Sequence, residues 1–126
     1  NYAKTFNSIE RDYRIDYFFP NQEEASIMSG VSNYEESAKI LHTKNIKNVI
    51  ITLGKKGCYF SNSSHSKLYK TKLIFDHSLT IGAGDNFVAG FISAKVNQFS
   101  VEECVQKANK SALDYLTVKF QKNTQI

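Results

Sequence analysis

A chain of 126 residues, 41% of them hydrophobic, is long enough for one domain with a real core. The net charge of +4 is modest and scattered, and neither Lys55-Lys56 nor the Lys67, Lys70, Lys72 group has the length or aromatic interleaving of a nucleic-acid platform. No apolar run approaches membrane-spanning length, and Cys58 and Cys104 lack any CxxC or Cys/His spacing, so neither a membrane span, a metal site nor a disulfide framework is expected, and a reduced, cytoplasmic setting is.

The opening residues, Asn1-Tyr2-Ala3-Lys4, are no signal peptide, and a start at Asn suggests a fragment. Residues 1 to 12 mix polar and apolar positions around Phe6 and Ile9 and read as the end of a helix. Residues 15 to 19 are aromatic and β-branched and stop at Pro20, which predicts a strand ending in a turn. Asn21-Gln22-Glu23-Glu24-Ala25 opens a helix that Gly30 stops after Ser29. Asn21 and Glu24 would then project from the carboxyl end of a strand, where open α/β sheets hold their ligands. Equally, Asn21 could cap the helix and Glu24 complete a capping pair.

Ser32-Asn33-Tyr34-Glu35 has the form of a capping box, and Tyr34, Ala38 and Leu41 repeat at helical spacing, predicting a helix that ends near Lys44. The continuous apolar run 49 to 53 has the pattern of a strand buried on both faces in a parallel sheet, so a β-α-β unit is expected. Thr52-Leu53-Gly54-Lys55-Lys56-Gly57 closes that strand, and Cys58-Tyr59-Phe60 returns as another. The loop is either a hairpin turn or one that offers backbone N–H groups and the Thr52 hydroxyl to a polyphosphate. Residues 62 to 66 read as an exposed tip with a solvated His65, and 67 to 69 and 72 to 75 alternate like edge strands. Neither His42 nor His77 has a partner at ligand spacing.

In Leu79-Thr80-Ile81-Gly82-Ala83-Gly84-Asp85-Asn86-Phe87, two glycines bracket a tight turn ahead of a helix-compatible segment through Val96. A helix N-terminus presents N–H groups without intrahelical partners, and glycines let a phosphate approach them without a Cβ in the way. An acid at Asp85 would weaken anion binding there unless it does chemistry. Phosphoryl transfer needs a base for the attacking hydroxyl and donors near the charge developing on the transferred group. The plainer alternative is that Asp85 caps the helix. Further on, Ser100-Val101-Glu102-Glu103 forms a second capping box opening a long helix, with Cys104, Val105, Ala108, Ala112 and Leu116 as its buried stripe. Asn109 shares that helix but not the stripe, so it is either simply exposed or faces a ligand.

Taken in order, Asn21-x-x-Glu24, Thr52-Leu53-Gly54-x-x-Gly57, and Gly82-Ala83-Gly84-Asp85 with Phe87, Ala89 and Gly90 resemble the C-terminal half of the ribokinase-like, or phosphofructokinase B, carbohydrate kinases over roughly residues 15 to 118. The resemblance implies a three-layer α/β fold with a mostly parallel central sheet, in which residues 1–126 form the C-terminal, nucleotide-binding portion of a single kinase domain. It implies transfer of the γ-phosphoryl group of ATP to a hydroxymethyl group of a sugar or nucleoside. The expected partner is that small-molecule substrate, not nucleic acid or membrane, and a homodimer of the full-length protein is compatible with it. Asp85 would be the catalytic base, and Gly82, Ala83 and Gly84 the anion hole. Thr52, Gly54 and Gly57 would contact the nucleotide phosphates, Asn21 and Glu24 would order Mg²⁺, water and phosphate, with Glu24 reaching the metal through water, and Asn109 would approach the ATP base.

The sequence departs from that pattern in two ways. The relatives' turn begins Asp-Thr-Thr, whereas here it begins Leu79-Thr80-Ile81, and the missing acid puts K⁺ activation in doubt. Family members are also a good deal longer, with sugar-contacting glycines and a lid in their N-terminal part, so the isolated chain is expected to be inactive. Two alternatives stand beside the kinase: a non-catalytic nucleotide-binding or regulatory relative, and a kinase of a heterocyclic vitamin-precursor alcohol. An intact Gly-Ala-Gly-Asp disfavours the first and the Thr-Leu-Gly-x-x-Gly match the second. Among acceptors, Leu79 and the helix from Cys104 to Leu116 carry a faint likeness to pseudouridine kinases.

Overall fold

Pro20 and Gly30 punctuate the start of the chain as the sequence predicts. In the computed structural model, which describes residues 14–73 and 82–124, strand β1 (Ile15–Phe18) gives way to helix α1 (Gln22–Ser29), and Gly30 ends that helix in the left-handed region at φ 82°. Its N–H closes on the Ser26 carbonyl at 2.8 Å, a conformation that costs glycine no Cβ clash. Helix α2 (Tyr34–His42) ends close to the expected point, but its cap is Asn33 and not Ser32. The Asn33 side chain accepts from Glu36 N at 2.9 Å, which moves the cap one residue along the chain and forms only the side-chain half of the expected box.

Strand β2 (Ile46–Thr52) follows, then a 3₁₀ turn (Gly54–Lys56), β3 (Cys58–Ser61), β4 (Ser66–Tyr69), α3 (Ala83–Val96) and α4 (Val101–Thr124). Spatial strand order is β1-β2-β3-β4. The β1–β2 pair is parallel, joined through α1 and α2 as the expected crossover, whereas β2–β3 and β3–β4 are antiparallel. Val49, Ile50 and Ile51 are each 0% exposed, so β2 is buried on both faces. Val49 and Ile51 join Phe18, Ala25, Met28, Ala38, Leu41 and Tyr59 in a core built with α1 and α2, while Ile50 pairs with Phe60 on the opposite face.

His42 has no ligand role among the described residues and serves the packing. Its Nδ1 lies 2.8 Å from the Ile46 carbonyl, which can only accept, so that nitrogen carries the proton. Its Nε2 meets Ser61 Oγ at 2.8 Å, and Ser61 Oγ meets Ser66 Oγ at 2.8 Å, tying α2 to β3 and β4. The tip between β3 and β4 is fastened by Asn62, whose Oδ1 accepts from Ser64 N and His65 N, and exposed His65 packs on Phe60.

By contact the chain divides into two compact units, one running up to Leu53 and resuming at Gly57–Tyr69, the other made of Gly54–Lys56 and everything from Lys70 on. In the second, Ser100 and Glu103 form the predicted capping box, with Glu103 N donating to Ser100 Oγ at 3.2 Å and Ser100 Oγ to Glu103 Oε1 at 2.9 Å. Cys104, Val105, Ala108 and Ala112 of α4 are fully buried, as the stripe requires, and Leu116 is partly so. Lys72 and Leu73 are not in a strand, contrary to the edge-strand expectation. Leu73 N is committed to the Gly54 carbonyl at 3.0 Å and the Lys72 carbonyl to Asn109, so neither is available for a ladder. The remainder of that expected strand, the expected helix end in residues 1 to 12, His77 and the Leu79-Thr80-Ile81 approach to the glycine turn lie outside the described residues.

No described helix is long and apolar enough to cross a membrane.

Candidate active site

In the first unit the structure gathers Asn21, Glu24, Thr52 and Gly57 at the carboxyl ends of β1 and β2. Thr52 N donates to the Pro20 carbonyl at 3.0 Å, and Asn21 and Thr52 form an isolated parallel bridge beyond the strands. Asn21 and Glu24 make a reciprocal cap for α1: Glu24 N donates to Asn21 Oδ1 at 2.8 Å, and Asn21 N to Glu24 Oε1 at 2.9 Å. The capping reading is therefore correct as geometry, yet it uses one oxygen of each side chain. Among the described residues, Glu24 Oε2 and Asn21 Nδ2 have no partner. The loop after β2 is a hairpin connection, closed by Leu53 N on the Gly57 carbonyl at 2.9 Å, and it needs its glycines because Gly54 and Gly57 have φ of 59° and 101°. Gly57 is buried and Thr52 half-buried.

In the second unit Gly54 and Asn109 meet through adjacent residues. Gly54 O accepts from Leu73 N, and Asn109 Nδ2 donates to Lys72 O at 2.9 Å, so Asn109 is neither idle nor simply solvated. Lys72-Leu73, read in the sequence as a plain strand, is the link between them. Its main chain makes those contacts, so no side-chain pattern marks them.

The glycine turn is shorter than expected because α3 begins at Ala83. Gly82 is the N-cap at φ 95°, with no capping side chain, and Ala83, Gly84 and Asp85 are the first three helical residues. The first intrahelical bond is Asn86 N to the Gly82 carbonyl at 3.1 Å, which also accepts Asn86 Nδ2 at 2.9 Å. The amides of Ala83, Gly84 and Asp85 thus have no acceptor within the helix, at the positive end of its dipole. Asp85 is not the cap; it is exposed, and its carboxylate has no hydrogen-bond or ion-pair partner among the described residues. A carboxylate beside three N–H groups without intrahelical acceptors can take a proton from a hydroxyl brought to it.

Sequence reasoning missed Tyr115. A Cβ on Gly82 would run into its hydroxyl oxygen and lie 2.8 Å from Cζ. Its spacing of three from Ala112 and seven from Ala108 sets it at the edge of the buried stripe, which was the available signal. Gly90, singled out with the glycine motif, is also a contact: a Cβ there would lie 2.6 Å from Ser111 Oγ and 3.0 Å from Ala108 Cα.

The cysteines stay outside this chemistry. Burial pushes the Cys58 thiol up to about 12, and burial raises Cys104 as well, with Lys95 opposing and Glu103 adding to the effect.

Comparison with known proteins finds similarity to sugar and nucleoside kinases. The chain is 34% identical to the ribokinase of Haemophilus influenzae over 110 residues, 83% of this chain and 36% of that protein. It is 32% identical to the cytidine kinase of Thermococcus kodakarensis over 107 residues, 82% of this chain and 37% of that protein. The solved structure of Arabidopsis thaliana ribokinase complexed with ribose and ATP superposes with a TM-score of 0.62 at 29% identity, over 87% of this chain and 35% of that one. The chain spans a little over a third of the length of these curated relatives. Its α/β fold is the ribokinase-like fold. With the model of the pfkB family carbohydrate kinases matching residues 9–117, the chain belongs to that family.

Proposed function

We propose that this chain is the nucleotide side of a kinase that transfers the γ-phosphoryl group of ATP to a hydroxymethyl group of a sugar or nucleoside. One observation carries the reading: Asp85 is exposed and unpaired among the described residues, in the first turn of α3, beside the amides of Ala83, Gly84 and its own backbone that have no acceptor within the helix. A binding or regulatory relative would gain nothing from an unpaired acid beside phosphate.

On this reading Asp85 takes the proton of the acceptor hydroxyl as its oxygen attacks the γ-phosphorus. The bond from phosphorus to the bridging oxygen breaks, ADP leaves, and the amides at the start of α3 receive the charge on the transferred group. The Thr52 hydroxyl and the Gly54 and Gly57 backbone hold the nucleotide phosphates, and Asn109 approaches the base. Glu24 suits Mg²⁺ held through water. One carboxylate oxygen is engaged in the cap, the other has no partner among the described residues, and no cluster of three acids, histidines or cysteines there could form an all-protein cage. When bound, the metal neutralises phosphate charge. With Leu79 where relatives carry an acid, no K⁺ requirement is assigned. The acceptor contacts belong to the part of the relatives' length that this chain does not span, so the chain alone binds ATP without turning it over.

The test is a product assay on the full-length protein with ATP and Mg²⁺, offering ribose, cytidine and pseudouridine and reading ADP release together with the mass of the phosphorylated acceptor. Transfer to one of these supports the reading. ATP binding with no transfer to any of them would oppose it.

A further inference from the structure

Helices α3 and α4 touch at two glycines, and the pairing fixes their direction. Gly82 meets Tyr115, and eight residues later Gly90 meets Ala108 and Ser111, so one helix advances as the other retreats and the two run antiparallel. A Cβ on Gly82 would run into the Tyr115 hydroxyl oxygen and lie 2.8 and 3.0 Å from its Cζ and Cε1, so the hydroxyl-bearing edge of the ring occupies the space a side chain would take. Gly82 carries φ 95° and no side-chain cap, so a ring pressed on it restrains a backbone that its own residue type leaves free. Gly82 also holds the carbonyl to which both donors of Asn86 return, so its orientation sets the pitch of the first helical turn.

We infer that Tyr115 is a positioning residue for phosphoryl transfer: its ring edge holds Gly82 in the left-handed conformation that aims the amides of Ala83, Gly84 and Asp85, and with them the Asp85 carboxylate, at the transferring group. The inference rests on the kinase reading and adds to it a residue on a different helix. Donors aimed at charge that develops only in the transition state act on turnover more than on ground-state nucleotide binding. Tyr115 therefore bears on kcat and little on the KM for ATP.

The experiment is steady-state kinetics of the full-length protein with ATP, Mg²⁺ and whichever of ribose, cytidine or pseudouridine it phosphorylates, with folding followed by circular dichroism. Tyr115→Ala lowers kcat roughly 10- to 100-fold with the KM for ATP within about threefold of wild type. Tyr115→Phe, which keeps the ring, recovers at least about a third of the wild-type rate, and Tyr115→Leu, which keeps apolar bulk but falls short of Gly82, behaves like Ala and replaces it should Ala unfold. Gly82→Ala and Tyr115→Ala are non-additive: the Gly82 change costs at least about tenfold less in the Tyr115→Ala background, because the ring it strikes is gone. A folded Tyr115→Ala or Tyr115→Leu with wild-type kcat, or strictly additive effects, overturns the inference and leaves the kinase reading standing. A wild-type protein that transfers phosphate to no acceptor removes the kinase reading itself, and the positioning role with it.

Discussion

Replacing Gly90 by alanine sets two effects against each other, and the structure decides the sign. Glycine in a helix interior is worse than alanine by about 1 kcal/mol, so propensity alone makes Gly90→Ala stabilising. The new Cβ, however, would stand 2.6 Å from Ser111 Oγ and 3.0 Å from both Ser111 Cβ and Ala108 Cα. The hydroxyl can rotate aside at little cost. The other two atoms move only if α4 moves, and overpacking of that kind costs about 1–3 kcal/mol. Taking about 2 kcal/mol against about 1, the variant is less stable by about 1 kcal/mol, a fall in Tm of about 3–5 °C for a chain of this size. Thermal unfolding followed by circular dichroism reads it. In a Ser111→Ala background the penalty stays nearly the same, because the Ala108 Cα and residue 111 Cβ contacts remain, and Gly90→Val costs about 2–4 kcal/mol. A Gly90→Ala protein with a raised Tm would refute the close crossing and the antiparallel register drawn from it.

Two other substitutions separate roles that share a residue. Asn21→Ala removes the α1 cap and costs about 1 kcal/mol, whereas Glu24→Gln keeps a capping partner and leaves Tm nearly unchanged while lowering Mg²⁺-dependent turnover; equal activity in Glu24→Gln and wild type would leave Glu24 a cap only. Cys58, held at about 12 by burial, resists iodoacetamide at pH 8 in the folded protein, and because its folded value lies above the unfolded one, its contribution to stability is complete below about pH 9 and is lost as pH rises towards 12. Rapid alkylation of native Cys58, or a Tm that rises between pH 9 and 11 in wild type relative to Cys58→Ala, would contradict that.

Much of this was legible in the residues because each signal had a local cause. A Pro after β1, a Gly after α1, the apolar run Val49-Ile50-Ile51 within β2 and Ser100/Glu103 ahead of α4 each name their own structure. Where the reading slipped, two local solutions competed or the partner was remote. Ser32 and Asn33 both cap well, and only the chain path chooses Asn33. Lys72 and Leu73 alternate like a strand, but their backbone bonds go to Gly54 and Asn109, far away in sequence. Of the candidate site, the motif residues stood out by type, since an acid beside glycines and a threonine before them are chemical signals. Tyr115 did not, because its role is to fill the space of a missing Cβ, and only the fold brings that space to it.

The proposed phosphoryl transfer depends most directly on Asp85. In the full-length protein, Asp85→Asn keeps the shape of the first turn of α3 and removes the base, so kcat falls by roughly two to four orders of magnitude while Tm and the KM for ATP stay within about threefold of, or close to, wild type. A folded Asp85→Asn enzyme that phosphorylates its acceptor at the wild-type rate would contradict the central claim.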